Sequence, residues 1–149
     1  FEFLKYTPDY EIVLDFAHTP DALEKILGAL KKRTHNRLIT VFGCPGERDK
    51  GKRPLMGEIA ERYSDLMVLT NDNPGREDPQ EIIDDIKKGL KGKNWVAYPD
   101  REEAVNYALA QAKKGDIVLL AGKGHENYQL IGQSKLPYSD REVTEKYFS

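Results

Sequence analysis

Four short stretches of this 149-residue chain gather residues that could do chemistry. Asp15 and His18 stand in Asp15-Phe16-Ala17-His18-Thr19-Pro20. The run Ile39 to Pro54, ITVFGCPGERDKGKRP, holds glycines at 43, 46 and 51 beside Arg48, Lys50, Lys52 and Arg53. A polar turn, Asn71-Asp72-Asn73-Pro74-Gly75-Arg76-Glu77-Asp78-Pro79, is rich in breakers. Gly122-Lys123-Gly124-His125-Glu126 places a lysine between glycines. Glycine lets a backbone approach a ligand closely, and guanidinium groups grip carboxylate or phosphate bidentately, so the basic run is suited to an anion. Each stretch also has a plainer reading. Asp15 could be the partner of a helix cap and His18 a structural histidine. The basic run could be a solvated turn, and the Asn-Asp-Pro-Gly run could be there for its backbone preferences. Gly122 to Glu126 could be only a tight turn. The P-loop pattern GxxxxGK[ST] is absent throughout.

The elements around these stretches place them. Glu11 to Phe16, Arg37 to Phe42, Leu66 to Thr70 and Asp116 to Ala121 read as strands, and each runs directly into one of the four stretches. Thr19 with Pro20 starts a helix to about Lys32, with Leu23, Ile26, Leu27 and Leu30 on its apolar side. Pro54 suits the first position of a helix ending near Tyr63. Pro79 starts another, with an apolar stripe of Ile82, Ile83, Ile86 and Leu90. Trp95 to Tyr98 is a short strand. Asp100 and Glu103 have capping-box spacing at the head of a helix to about Lys113. Tyr128 to Tyr138 reads as a hairpin around Gly132, and Asp140 as the cap of a last short helix. Strands alternating with helices predict an α/β domain over 1–149: a Rossmann-like, mostly parallel sheet flanked by helices, with the hairpin adding an antiparallel edge near the C-terminus. Loops at the carboxyl edge of such a sheet line one cleft, so the four stretches are expected to converge.

Composition bounds the function classes. Hydrophobic residues make up 39% and charged residues 32%, an ordinary balance for a globular domain. A net charge of −2 gives no field for nucleic acid or anionic membrane, and no nucleic-acid-binding signature is present. No signal-peptide pattern and no membrane-length apolar run occurs. The single cysteine, Cys44, excludes an internal disulfide and fits a reducing, cytoplasmic setting. Phe1-Glu2-Phe3 looks like mid-protein sequence, so a piece of a longer protein is expected.

Taken in order, DFAHTPDAL (15–23), FGCPGERDKGKRPLMGEIA (42–60), NDNPGREDP (71–79), AGKGHENYQ (121–129) and YSDRE (138–142) resemble the C-terminal domain of the UDP-N-acetylmuramoyl-tripeptide ligases, within the Mur ligase family. The resemblance covers nearly the whole chain. D-x-A-H-x-P more distantly resembles folylpolyglutamate synthases. The resemblance implies a three-domain enzyme. An N-terminal domain would hold UDP-MurNAc-L-Ala-D-Glu, and a central ATPase domain would carry the P-loop and bind most of the ATP and Mg2+. This C-terminal domain would close on both and be inert alone. The implied reaction is ATP-dependent amide formation through an acyl phosphate, adding meso-diaminopimelate or L-lysine in peptidoglycan synthesis. It further implies that Asp15 and His18 contact the nucleotide, Arg48 binds a carboxylate of the incoming amino acid and Asn73 hydrogen-bonds it. The Gly122 carbonyl and Glu126 would receive an ammonium group. Lys50, Lys52 and Arg53 would assist or only shape the loop. A stand-alone α/β module that binds an amino acid or nucleotide without catalysis is the alternative.

The sequence departs from that pattern at one place. Diaminopimelate-adding members read DNPR at the turn, with the arginine clamping the distal carboxylate; here Gly75 takes that position and Arg76 follows. Either Arg76 takes over the clamp, or the clamp is missing and the substrate is lysine-like. A charged bidentate pair is worth a few kcal/mol, so the choice governs specificity.

Overall fold

A computed structural model of the protein describes residues 1–149. In chain order the elements are β1 (Glu2–Leu4), β2 (Glu11–Asp15), α1 (Pro20–Arg33), β3 (Leu38–Phe42), α2 (Lys52–Tyr63), β4 (Leu66–Leu69), α3 (Pro79–Lys87), β5 (Trp95–Ala97), α4 (Arg101–Gln111), β6 (Ile117–Ala121), β7 (Tyr128–Ile131), β8 (Ser134–Pro137) and α5 (Asp140–Tyr147). Six strands form one sheet in the order β1-β2-β6-β3-β4-β5. β2, β6, β3, β4 and β5 are parallel, and β1 is antiparallel to β2.

β6 shows why the sheet is covered on both faces. All five of its residues are buried. Successive side chains point to opposite faces, so Ile117, Leu119 and Ala121 join a core with Leu23, Leu27, Met56, Ala60, Ile82 and Ile86, from α1, α2 and α3. Val118 and Leu120 join a second core with Ala104, Val105, Ala108 and Val143, from α4 and α5. An unbroken apolar run is what a parallel strand buried on both faces requires.

Four of the five helices, all but α2, start where a side chain satisfies a free amide. Thr19 Oγ1 accepts from Ala22 N at 3.3 Å, Asp78 from Gln80 N at 2.9 Å and Asp100 from Glu103 N at 3.1 Å. Three local expectations change. α2 begins two residues before Pro54, which sits at the third helical position; first-turn amides have no partner within the helix, so proline still fits there. Ser139, not Asp140, caps α5, accepting from Glu142 N at 3.3 Å. The hairpin forms as expected, but β7 and β8 make their own two-stranded sheet, and β1 is the antiparallel edge of the main one. β7 is instead fastened to the turn after β4. Gly75 N donates to Leu130 O at 2.9 Å, Leu130 N to Asn73 Oδ1 at 3.0 Å and Gln129 Nε2 to Asp72 O at 2.7 Å.

Candidate functional site

The four chemically rich stretches leave the carboxyl ends of β2, β6, β3 and β4, which are consecutive neighbours in the sheet. The expected convergence is therefore built into the strand order. Contacts join the β2 loop to the β6 loop and the β3 loop to the β4 loop. Gly122 N donates to Asp15 O at 3.0 Å, and Gly46 N to Asn73 O at 2.8 Å. Glu47 N donates to Glu77 Oε1 at 2.8 Å. The β3 and β4 loops press so closely that a Cβ on Gly46 would collide with the Pro74 carbonyl.

In the β2 loop, Asp15 Oδ2 accepts from Ala17 N at 2.9 Å, which folds the chain back toward α1. Asp15 thus has a local structural use while remaining partly exposed. His18 is exposed, with Nδ1 2.7 Å from the Phe16 carbonyl oxygen. A carbonyl only accepts, so Nδ1 carries the proton and Nε2 is left for a ligand.

His18 and Thr19 share a cavity of about 300 Å³ with Cys44, Arg48, Asp49 and Lys52, its floor including Arg53 and Met56. Arg48 and Lys52 are exposed cations here, and Asp49 is the one lining carboxylate. Burial pushes the Cys44 thiol up to about 12, so it contributes a small apolar wall and no thiolate. Arg53 departs from the expectation of a loop cation free for ligand. It is buried and donates to Glu77 at 2.6 and 2.8 Å and to Asp85 at 3.0 Å. The Arg53 hydrogen bond holds the Glu77 carboxyl down to about 2. Lys50 also leans toward Glu77, at 3.9 Å. Arg53 therefore shapes the loop, and Arg48 and Lys52 are the cations left facing the cavity.

The β4 and β6 loops build a different environment, one of buried charge. Asn73 Nδ2 lies 3.4 Å from Glu126 Oε1, bringing together two residues 53 apart in sequence. Between them is Lys123, fully buried, with Nζ 2.9 Å from Asn73 Oδ1, 3.2 Å from Glu126 Oε1 and 3.7 Å from Asp72 Oδ1. Burial raises the Asp72 carboxyl above its usual range, against the opposing pull of Arg101 and Lys123. Gly122 has φ +110°, and a Cβ there would stand 2.7 Å from Asp72 Oδ2. Behind this layer, Arg101 is fully buried. It donates to both oxygens of Asp140, at 2.9 and 2.8 Å, and to the Asn71 and Ala121 carbonyls at 2.8 and 3.0 Å. Burial alone would raise the Asp140 carboxyl, but Arg101 outweighs it and holds the group below its usual value.

Sequence reasoning missed Lys123 and Arg101 as organisers of this edge. Their burial is a tertiary fact; the hint in the sequence was a lysine between two glycines directly after an apolar strand. Gly75 has φ +60°, and a side chain there would run into the Glu47 carboxylate. Arg76 is exposed. No group of three or more His, Cys, Asp or Glu side chains is placed to hold a metal ion.

Comparison with known proteins gives the family to which this fold belongs. The family described as "Mur ligase, glutamate ligase domain" matches residues 1–124. A UDP-N-acetylmuramoyl-L-alanyl-D-glutamate–2,6-diaminopimelate ligase of Clostridium acetobutylicum is 51% identical over 93% of this chain and 29% of its own length. One of the same name from Caldanaerobacter subterraneus subsp. tengcongensis is 48% identical over 98% of this chain and 31% of its own. A solved structure of a ligase of that name superposes with TM-score 0.94 at 42% identity, covering 99% of this chain and 30% of the other. The chain thus spans about 30% of the length of the curated relatives it matches.

Proposed function

The chain belongs to the Mur ligase family as its glutamate ligase domain, and we propose that it is the amino-acid-positioning domain of an ATP-dependent ligase that adds diaminopimelate to UDP-MurNAc-L-Ala-D-Glu. The observation that carries this reading is the division of one cleft into two chemistries. Exposed Arg48 and Lys52 line a cationic cavity beside His18, and the bond from Gly46 N to Asn73 O joins that loop to one where Glu126 offers carboxylate oxygens beside Asn73. A zwitterionic amino acid needs both, a guanidinium for its carboxylate and carboxylate or amide oxygens for its ammonium.

Each residue then has a task. Arg48 grips a carboxylate of the incoming amino acid. Asn73 hydrogen-bonds the amino acid, and Glu126 and the Gly122 carbonyl receive its ammonium group. His18, through Nε2, and Asp15 contact the nucleotide. The fit to ATP is electrostatic: phosphoryl transfer needs cations around the phosphates, and Lys52 beside His18 supplies one. ATP activates the peptide carboxylate as an acyl phosphate. The work of this chain is to hold the attacking amine against that carbon, the entropic part of catalysis. With neither a P-loop nor a metal-binding cluster in the chain, most contacts to ATP and to Mg2+ belong to a central ATPase domain, and the UDP-sugar peptide to an N-terminal one. The setting is cytoplasmic.

Arg76 clamps the distal carboxylate of diaminopimelate. Gly75 has no side chain to do so, and its Cβ direction leads to Glu47, a like charge. Arg76 is exposed one residue on, and the diaminopimelate ligase names of the relatives at 48–51% identity favour a substrate with a second carboxylate.

The test is turnover by the full-length parent protein with ATP and UDP-MurNAc-L-Ala-D-Glu. Phosphate release dependent on meso-diaminopimelate, and much weaker with L-lysine, is expected; the isolated domain should turn over no ATP. No phosphate release with any amino acid would overturn the reading and favour a binding module.

A further inference from the structure

Lys123 is the one lysine in the chain with no exposure. Burying an ammonium group is costly unless it is paired and hydrogen-bonded. Both of its hydrogen-bond acceptors, Asn73 Oδ1 at 2.9 Å and Glu126 Oε1 at 3.2 Å, belong to side chains given above to the incoming amino acid. The rings of Tyr128 and Tyr138 face the same ammonium at 5.7 and 6.0 Å, closing it off from water.

This placement sets one orientation and supports another, since Leu130 N also donates to Asn73 Oδ1, at 3.0 Å. An ammonium donates only, so it must meet the oxygen of the Asn73 amide, which turns Nδ2 toward Glu126. It also occupies Oε1 of Glu126 and leaves Oε2 as the free acceptor of a partly exposed carboxylate. Charge reinforces the geometry. Lys123 and Arg101 are two cations facing three carboxylates, Asp72, Glu126 and Asp140. The cluster is one positive charge short of balance, which a ligand's ammonium group would supply.

We propose that Lys123 is a positioning residue: its buried ammonium holds Asn73 and Glu126 so that Glu126 Oε2 is presented to the ammonium group of the incoming amino acid. The proposal rests on the reading of this cleft as the amino-acid site of a ligase. Lysine suits the role because a compact ammonium can serve two acceptors converging from different loops, whereas a planar guanidinium spreads its donors along a fork.

The experiment is steady-state kinetics on the full-length protein and its Lys123→Arg and Lys123→Met variants, with circular dichroism to confirm folding. Both variants should raise KM for diaminopimelate at least tenfold, with KM for ATP within twofold and kcat within threefold. An unchanged diaminopimelate KM, an equal rise in KM for ATP, or loss of fold in both variants would overturn the proposal, the last by assigning Lys123 to the core alone. Absence of diaminopimelate-dependent turnover in the unmutated protein would overturn the ligase reading instead, and is distinguishable because it appears before any variant is made.

Discussion

Arg53 donates through Nη1 and Nη2 to both carboxylate oxygens of Glu77, at 2.6 and 2.8 Å, tying the start of α2 to the turn before α3. Glu77 in turn accepts from Glu47 N, so one carboxylate ties the loop that carries the cationic cavity's Arg48 to the turn after β4. The folded Glu77 carboxyl is held near 2 against an ordinary 4.5. A depressed carboxyl contributes stability that is present above its unfolded pKa and lost as pH falls through the folded one. Between about pH 4.5 and 2 this pair should lose on the order of 2 kcal/mol. Urea unfolding across that window should show a shallower acid loss in Glu77→Gln than in the native chain.

The Arg101–Asp140 pair lies wholly inside the protein. Removing one partner leaves the other charged and buried, which costs about 3–5 kcal/mol. Asp140→Asn and Arg101→Met should each lower the unfolding midpoint sharply. The double variant Arg101→Met/Asp140→Leu should recover a large part of the loss. A double variant no better than the worse single one would mean that the Arg101 bonds to the Asn71 and Ala121 carbonyls matter more than the ion pair.

Gly75 adopts φ +60° against Glu47. Gly75→Arg should therefore not act as a simple gain of a clamp. It should destabilise the turn by about 1–3 kcal/mol, while Gly75→Asn, which tolerates the left-handed region better, should cost less. Thermal unfolding of the two variants gives the ranking.

The proposed clamp makes Arg76 the residue on which the choice of amino acid depends. A hydrogen bond to a charged group is worth about 1.5–3 kcal/mol, so Arg76→Ala should raise KM for diaminopimelate roughly 10- to 100-fold and leave the weaker use of L-lysine unchanged. Parallel kinetics with the two amino acids checks this. Diaminopimelate use that survives the substitution would make Arg76 a surface residue.

Local chemistry made much of the fold legible. Thr19-Pro20, Pro79 and Asp100 announced three helices because helix starts depend on near neighbours, and the apolar run of β6 announced a strand buried on both faces. What escaped depended on partners distant in sequence. Arg53 reads as one more loop cation until Glu77 and Asp85, 24 and 32 residues on, are placed beside it. Asp140 looks like a cap until Arg101, 39 residues earlier, claims it. The insertion of β6 between β2 and β3 leaves no mark in either strand, yet it sets the Lys123 loop between those of His18 and Arg48. The hairpin was legible as a hairpin, but its attachment to Asp72, Asn73 and Gly75 was not.

The most direct test of the account is the KM split in Arg48→Ala, measured on the full-length protein with diaminopimelate and ATP varied separately. Arg48 lines the cleft without entering the core, so the variant should fold normally. A rise of at least tenfold in KM for diaminopimelate, with KM for ATP little changed, is the predicted result. An unchanged KM for the amino acid would contradict the assignment of this cleft as the place where the incoming amino acid is held.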